Sequence, residues 1–296
     1  MSSFRSGFAA LVGRPNVGKS TLLNALLGHK ISIVTPRPQT TRHRVIGITN
    51  LPGGQIAFVD TPGMHQGERR ALNRSMNRAA AAALLDADLG VLVVEALRWT
   101  DEDELALRRV READRPAIAV VSKVDKVYPR ERLLPFLAQL AQRHTFLAIV
   151  PLSAQKDVNL DALRQAILAG LPEGQAMFPE DQLTDRSERF RIGETIREKL
   201  TLELVEELPY GIAVEIEDLK TTEDGRIEVS AVIWVDRAGQ KPIVIGAGGE
   251  RLKRIGRAAR IELNQLLGKR FHLTLWVKVR EDWADDSRAL AQLGME

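Results

Sequence analysis

Eight residues near the N-terminus, Gly13-Arg14-Pro15-Asn16-Val17-Gly18-Lys19-Ser20, followed by Thr21, combine two spaced glycines with a cation and a hydroxyl. They fit the pattern G-x-x-x-x-G-K-[ST]. Its glycines allow torsions and close approach that a Cβ would forbid, and successive backbone N–H groups converge on a phosphate chain. Lys19 is expected to reach the outer phosphates and the Ser20 hydroxyl to ligate Mg²⁺. A chance match in a glycine-containing turn is the bland alternative. Against it, the apolar run 8–12 upstream suits a buried strand, and residues 21–27 suit a helix stopped by Gly28.

Three later stretches carry compatible chemistry. Gln39-Thr40-Thr41-Arg42-His43 lies in a polar, proline-containing segment without periodicity, read as a switch loop whose threonine completes a Mg²⁺ shell while a terminal phosphate is present. Thr41 is favoured slightly over Thr40 for that role, and a plain surface loop is the competing reading. Asp60-Thr61-Pro62-Gly63 follows an apolar strand about 40 residues after Ser20. It places a carboxylate at the C-terminal edge of a sheet, where open α/β folds bind ligands. Asp60 is expected to hold Mg²⁺ through water and the Gly63 N–H to sense the terminal phosphate. Ser122-Lys123-Val124-Asp125 ends another apolar run. The Asp125 carboxylate can accept from both N1–H and the 2-amino group of guanine, whereas adenine would leave it unpaired. Lys123 would lay its stem over the purine, and the backbone N–H at Ser153-Ala154 would donate to guanine O6.

The elements needed to position these groups alternate. Strands are expected near 8–12, 55–59, 89–94, 116–121 and 146–152, with helices over 69–86, 101–113, 130–142 and 159–168 between and after them. That order implies an α/β, doubly wound, mainly parallel sheet. Residues 171–182 hold proline, glycine and acids without period and read as linker. A charged helix over 190–208, strands over 212–219 and 226–236, a glycine turn at 246–249, a helix to about 267 and a strand over 271–279 form a smaller α+β domain. Trp234 and Trp276 are read as core.

The whole chain has 296 residues, 44% of them hydrophobic, enough for two cores. The absence of cysteine excludes disulfides, thiolate metal sites and cysteine nucleophiles, and fits a reducing interior. No leading apolar segment of signal-peptide length and no membrane-spanning run is evident, so the protein is read as cytoplasmic. Net charge is only +3, but its placement is uneven. Residues 241–270 carry eight Lys or Arg against two acids, while 191–240 carry six against twelve. Positive charge is therefore concentrated around the glycine turn.

The marks GRPNVGKS, QTTRH, DTPG, SKVD and SA in this order resemble those of translation-factor-related GTPases. GRPNVGKST with QTTRHR and DTPGMH is most similar to the Era family of bacterial GTPases. Two departures stand out. Ser122 replaces an asparagine that braces the base-reading loop, which puts affinity in doubt. Met64 replaces the glutamine that orients the attacking water in Ras-like enzymes, so unaided hydrolysis is expected to be slow. Asn16 resembles an asparagine that binds K⁺ in some relatives.

Residues 244–256 resemble the KH signature, with Leu252 in place of one isoleucine. The resemblance implies that Gly246, Ala247, Gly248 and Gly249, with Arg251, Lys253, Arg254 and Arg257, clamp about four unpaired nucleotides. The element order is the type II KH order. The family's arrangement implies a GTPase domain at 5–171, a linker at 172–189, a KH domain at 190–281 and a tail at 282–296. It also implies a monomeric GTP/GDP- and Mg²⁺-binding enzyme that binds 16S rRNA near its 3′ end during 30S subunit assembly, with possible peripheral contact at the inner membrane face. Two alternatives stay open: an RNA-binding module that senses nucleotide but barely hydrolyses it, and a membrane-surface protein.

Overall fold

The computed structural model describes residues 4–64, 71–204 and 208–293. The chain divides into two compact units. The first runs to Asp185 apart from Ile33–Thr40 and the start of one helix; the second takes those pieces and Arg186 onward.

In the first unit, β1 (Arg5–Val12), α1 (Lys19–Leu27), β2 (Val45–Leu51), β3 (Gly54–Asp60), α2 (Ala71–Asp86), β4 (Leu89–Glu95), α3 (Asp101–Ala113), β5 (Ala117–Ser122), α4 (Leu133–Arg143), β6 (Ala148–Pro151) and α5 (Leu160–Gly170) alternate. The strands assemble in the order β2-β3-β1-β4-β5-β6. All neighbours are parallel except β2 with β3. Alternate residues of each strand face opposite sides, so the sheet has two cores. Ala9, Leu11, Phe58, Val91 and Val93 meet Leu22 and Leu26 of α1 and Leu163 and Ile167 of α5. Ala10, Val12, Val59, Leu92 and Val94 meet Ala83 of α2, Leu107 of α3 and Leu140 of α4. Burial on both faces explains why these strands read as continuous apolar runs.

The sequence reading lacked β2, an edge strand that runs into the turn at Pro52-Gly53 and pairs antiparallel with β3. The expected linker is also more ordered than its composition suggested. Buried Gln55 accepts from the Met177 and Phe178 N–H groups through Oε1 (2.8 and 3.0 Å) and donates to the Phe178 carbonyl (2.9 Å). The Ile48 N–H donates to Leu183 O at 2.9 Å, and Thr184 Oγ1 to Ile46 O at 2.6 Å. Residues 177–184 thus run along the β2 edge and satisfy backbone groups that an edge strand leaves unpaired.

In the second unit, α6 (Glu188–Glu203), β7 (Ile212–Thr221), β8 (Ile227–Val235), α7 (Gln240–Ile245), α8 (Glu250–Leu267), β9 (Phe271–Val279) and α9 (Ser287–Gln292) follow in order. The sheet is β7-β8-β9, with β7 antiparallel and β9 parallel to β8. Ile192, Ile196 and Leu200 of α6 and Ile255, Ala259 and Leu263 of α8 cover one face, against Val229, Ala231, Ile233 and Val277. Helix α6 stops at Glu203, short of the expected 208; residues 205–207 lie outside the described residues. Trp234 and Trp276 are not core. They occupy the opposite strand parity, where Trp276 is 57% exposed and Trp234 Nε1 donates to Glu215 Oε2 at 2.7 Å. Trp283 of the tail is fully buried instead and donates to Gly211 O at 3.2 Å. No helix among the described residues is long and apolar enough to cross a membrane.

Candidate nucleotide site and nucleic-acid groove

The turn between β1 and α1 bends through left-handed torsions at Asn16 (φ 61°) and Gly18 (φ 104°), leaving the first helical N–H groups at the carboxyl edge of the sheet. Lys19, the first residue of α1, folds back so that Nζ donates to the Gly13 and Arg14 carbonyls at 2.9 Å each. Burial strips water from its ammonium and lowers its pKa to about 8, with Asp60 opposing the shift.

Residues from three segments converge beside it. Ser20 Oγ donates to Asp60 Oδ2 at 2.8 Å, Ser20 Oγ and Thr41 Oγ1 lie 2.7 Å apart, and Thr41 Oγ1 is 3.4 Å from Asp60 Oδ2. Asp60 is fully buried, and its Oδ1 makes no hydrogen bond. Burial pushes the Asp60 carboxyl up, while Lys19 pulls it down. Three hard oxygens, one of them a buried carboxylate with an orphaned atom, fit a small divalent cation. Among the described residues no cluster of three His, Cys, Asp or Glu offers a competing metal site. Thr40 lies elsewhere. Its Oγ1 meets Thr35 Oγ1 at 2.6 Å and donates to Arg37 O at 2.7 Å. Gln39 has a left-handed φ of 59°, and Arg42 and His43 are buried.

The Asp60-Thr61-Pro62-Gly63 turn is locked to the sheet and to the phosphate loop. Thr61 Oγ1 donates to Leu11 O at 2.7 Å, and the Met64 N–H to Gly13 O at 3.2 Å. A Cβ on Gly63 would come within 2.8 Å of the Pro15 N and Cα, so only glycine lets the two loops touch. Met64 is 3% exposed and packs into the core, so its thioether offers nothing polar to a water.

A pocket beside the loop is lined by Val17, Gly18 and Thr21 together with Ser122, Lys123, Asp125, Ser153 and Ala154. Val124 anchors the turn that aims Asp125. Ser122 Oγ donates to Val17 O at 2.7 Å in a buried bond, so the shorter side chain still ties the base-reading loop to the phosphate loop. The Ser153 N–H is used by Val158 O at 3.2 Å, which leaves Ala154 as the candidate of the pair for the expected base contact.

In the second unit, α7 and α8 are joined by Gly246, Ala247, Gly248 and Gly249. Gly246 (φ 76°) has no room for a Cβ, which would sit 2.7 Å from Arg251 Cβ. A groove of about 480 Å³ runs from Gly249 between α8 and β9, lined by Leu252, Lys253, Gly256, Arg257 and Arg260 on the helix and His272, Leu273 and Leu275 on the strand. Two of the expected cations face other partners: Arg251 Nη1 donates to Ile243 O, and Arg254 pairs with Glu203 at 3.0 Å. Arg260 and His272 escaped the sequence reading. The signal for Arg260 was its place three residues after Arg257 on the face that carries Lys253 and Gly256.

With this geometry in place, the comparisons with known proteins are specific. The family described as a 50S ribosome-binding GTPase matches residues 8–123, and the KH domain family matches residues 207–284. GTPase Era of Xanthomonas oryzae pv. oryzae (strain MAFF 311018) is 53% identical over 296 residues, 100% of this chain and 98% of the relative. The chain belongs to the Era family of GTPases. GTPase Era of Marinobacter nauticus is 53% identical over 291 residues, covering 98% of this chain and 95% of that protein. Two solved Era structures each superpose with a TM-score of 0.95 over 99% of both chains. One is an Aquifex aeolicus variant bound to GDP and AlF4⁻ (40% identity), the other an Era complex with MgGDPNP and nucleotides 1506–1542 of 16S ribosomal RNA (41% identity). The mainly parallel sheet and the separate smaller KH sheet are those of Era proteins, as the order of motifs implied.

Proposed function

We propose that the chain is a GTP-hydrolysing switch that binds Mg²⁺ with GTP or GDP in its first unit and grips the 3′ end of 16S rRNA in the KH groove of its second, in assembly of the 30S subunit. The observation that carries the nucleotide half is the meeting of Ser20, Thr41 and Asp60 beside Lys19. Mg²⁺ held by the Ser20 and Thr41 hydroxyls, with Asp60 behind them, would neutralise charge developing on the transferred phosphoryl group. Lys19 exchanges loop carbonyls for outer phosphate oxygens, and the Gly63 N–H contacts the terminal phosphate. Asp125 accepts from the guanine edge, Ala154 donates to O6, and Lys123 covers the ring.

Within this reading the GTPase domain covers residues 5–171 and the KH domain residues 190–281, with 172–189 between them and 282–296 as a tail. Asn16, whose carbonyl accepts from Lys123 at 2.8 Å, is the candidate K⁺ contact, and equal turnover in K⁺ and Na⁺ would remove that role. We place the protein in the cytoplasm, with peripheral contact at the membrane's inner face as the family resemblance implies.

The Thr41 hydroxyl beside Ser20 and Asp60, with the Thr40 hydroxyl on Thr35 and Arg37, supports this choice and sets the decisive test. Thr41→Ala should abolish most of the Mg²⁺-dependent preference for the triphosphate, a loss of roughly tenfold or more in GTP analogue affinity with little change for GDP. Thr40→Ala should leave that preference nearly intact. The reverse order in titration calorimetry would refute the assignment.

A further inference from the structure

Arg14, the second residue of the phosphate loop, is only 6% exposed, where an uncompensated cation would be costly. Two carboxylates answer it: Arg14 Nε donates to Asp103 Oδ2 at 3.2 Å and Nη2 to Glu95 Oε2 at 2.6 Å. Asp103 is itself fixed at the start of α3, accepting from the Thr100 N–H at 2.9 Å and the Thr100 hydroxyl at 2.8 Å in a capping box. Glu95 ends β4 in register with Ser122, the last residue of β5, and the next N–H, of Ala96, donates to Ser122 O at 3.0 Å. This puts the second oxygen of Glu95 beside the base-reading loop. Glu95 Oε1 lies 3.2 Å from Lys123 Nζ, and Nζ also donates to Asn16 O at 2.8 Å. The contacts therefore run Asp103, Arg14, Glu95, Lys123 and return to the phosphate loop at Asn16. Burial tends to raise the Glu95 carboxyl, but Arg14 and Lys123 outweigh it and hold the group below the usual carboxylate range.

We propose that Glu95 is a positioning residue of the nucleotide site: by dividing its two oxygens between Arg14 and Lys123, it ties the stem of Lys123 to the loop that holds the phosphates before nucleotide arrives. This rests on the nucleotide site described above. Lys123 is 28% and Glu95 22% exposed in their side chains, so the pair earns little as an attraction in water. Its effect is entropic. A free lysine samples many rotamers and must be ordered when the purine slides beneath it, whereas a tethered one has already lost that freedom.

A carboxylate can accept from both cations, but an amide offers one acceptor and one donor group, so Glu95→Gln keeps the volume and breaks one of the two links. The variant should speed GDP dissociation roughly three- to tenfold and raise KM for GTP by a similar factor, with the effect falling on KM rather than kcat. Lys123→Met, which retains a long stem without the ammonium, should do the same. The double variant should be no worse than Lys123→Met alone, because that substitution already removes the Glu95 link along with the bond to Asn16 O.

The measurement is stopped-flow displacement of a fluorescent GDP from the full chain with Mg²⁺, alongside steady-state turnover. Unchanged dissociation in Lys123→Met overturns the inference even if Glu95→Gln fails to fold. Full additivity of the two substitutions overturns it as well. A parent chain that does not bind GDP fails the nucleotide assignment itself, a different result from a parent that binds but is indifferent to Glu95.

Discussion

Some cations of the KH domain line the proposed RNA groove while others are paired elsewhere, and salt dependence would read whether that difference carries to RNA. Arg257 and Arg260 line the groove, whereas Arg254, one turn away on the same helix, is committed to Glu203 at 3.0 Å. Each phosphate contact on a single strand adds about 0.7 to the slope of log affinity against log salt. Removing both charges in Arg257→Gln with Arg260→Gln should therefore flatten the slope by about 1.4. Between about 0.05 and 0.2 M salt the logarithm changes by about 0.6, so the parent should lose roughly sevenfold more affinity than the double variant over that range. Arg254→Gln should move the slope by no more than about 0.3. All three side chains are exposed, so folding should change by less than about 0.5 kcal/mol. Fluorescence anisotropy with a single-stranded RNA of the 16S 3′ end, titrated at several KCl concentrations, supplies the slopes. Equal flattening by Arg254→Gln, or none from the groove pair, would refute the placement of the phosphates.

Two further predictions concern the base pocket. Asp125→Asn should weaken GTP by roughly thirtyfold or more and improve xanthosine triphosphate, whose 2-oxo group needs a donor; unchanged base preference in competition binding would contradict the assignment. Ser122→Ala removes the 2.7 Å bond to Val17 O, a change of about 1 kcal/mol, and should raise the GDP dissociation rate roughly fivefold.

What the sequence made legible follows from what each residue has to do. Loops that hold phosphate need glycine where the chain turns left-handed or approaches closely, so Gly18 and Gly63 announce themselves by type. Continuous apolar runs mark strands covered on both faces, and five strands of the first sheet were readable for that reason. Strand β2 was not, because it is an edge element entered from a proline-containing loop, and only Pro52-Gly53 signalled the turn behind it. Residues 177–184 looked like linker because their order comes from partners elsewhere in the chain, Gln55 and the backbone of Ile46 and Ile48. Composition cannot show such contacts. Trp276 lies off the core although it sits within a strand, because it alternates out of step with Phe271 and Val277, which are buried. Arg260 lies beyond the loop motif, on the α8 face that carries Lys253 and Arg257, so only the helical period signals it.

The two departures from the family pattern end differently, and for a physical reason. At Ser122 the shorter side chain still leaves a tie in place, its hydroxyl donating to Val17 O at 2.7 Å. At Met64 the case is different: the side chain is packed into the core and its N–H is spent on Gly13 O. A brace can be shorter and still tie two loops, but a group that orients water must itself be polar and face the phosphate. Nucleotide retention and nucleotide cleavage are therefore set by different residues in this chain. The base-side loop keeps its tie to the phosphate loop through Ser122, while the buried Met64 thioether offers no polar group to align a nucleophile. Slow intrinsic turnover is the expected outcome, and fast phosphate release by the free chain in a single-turnover assay would refute it.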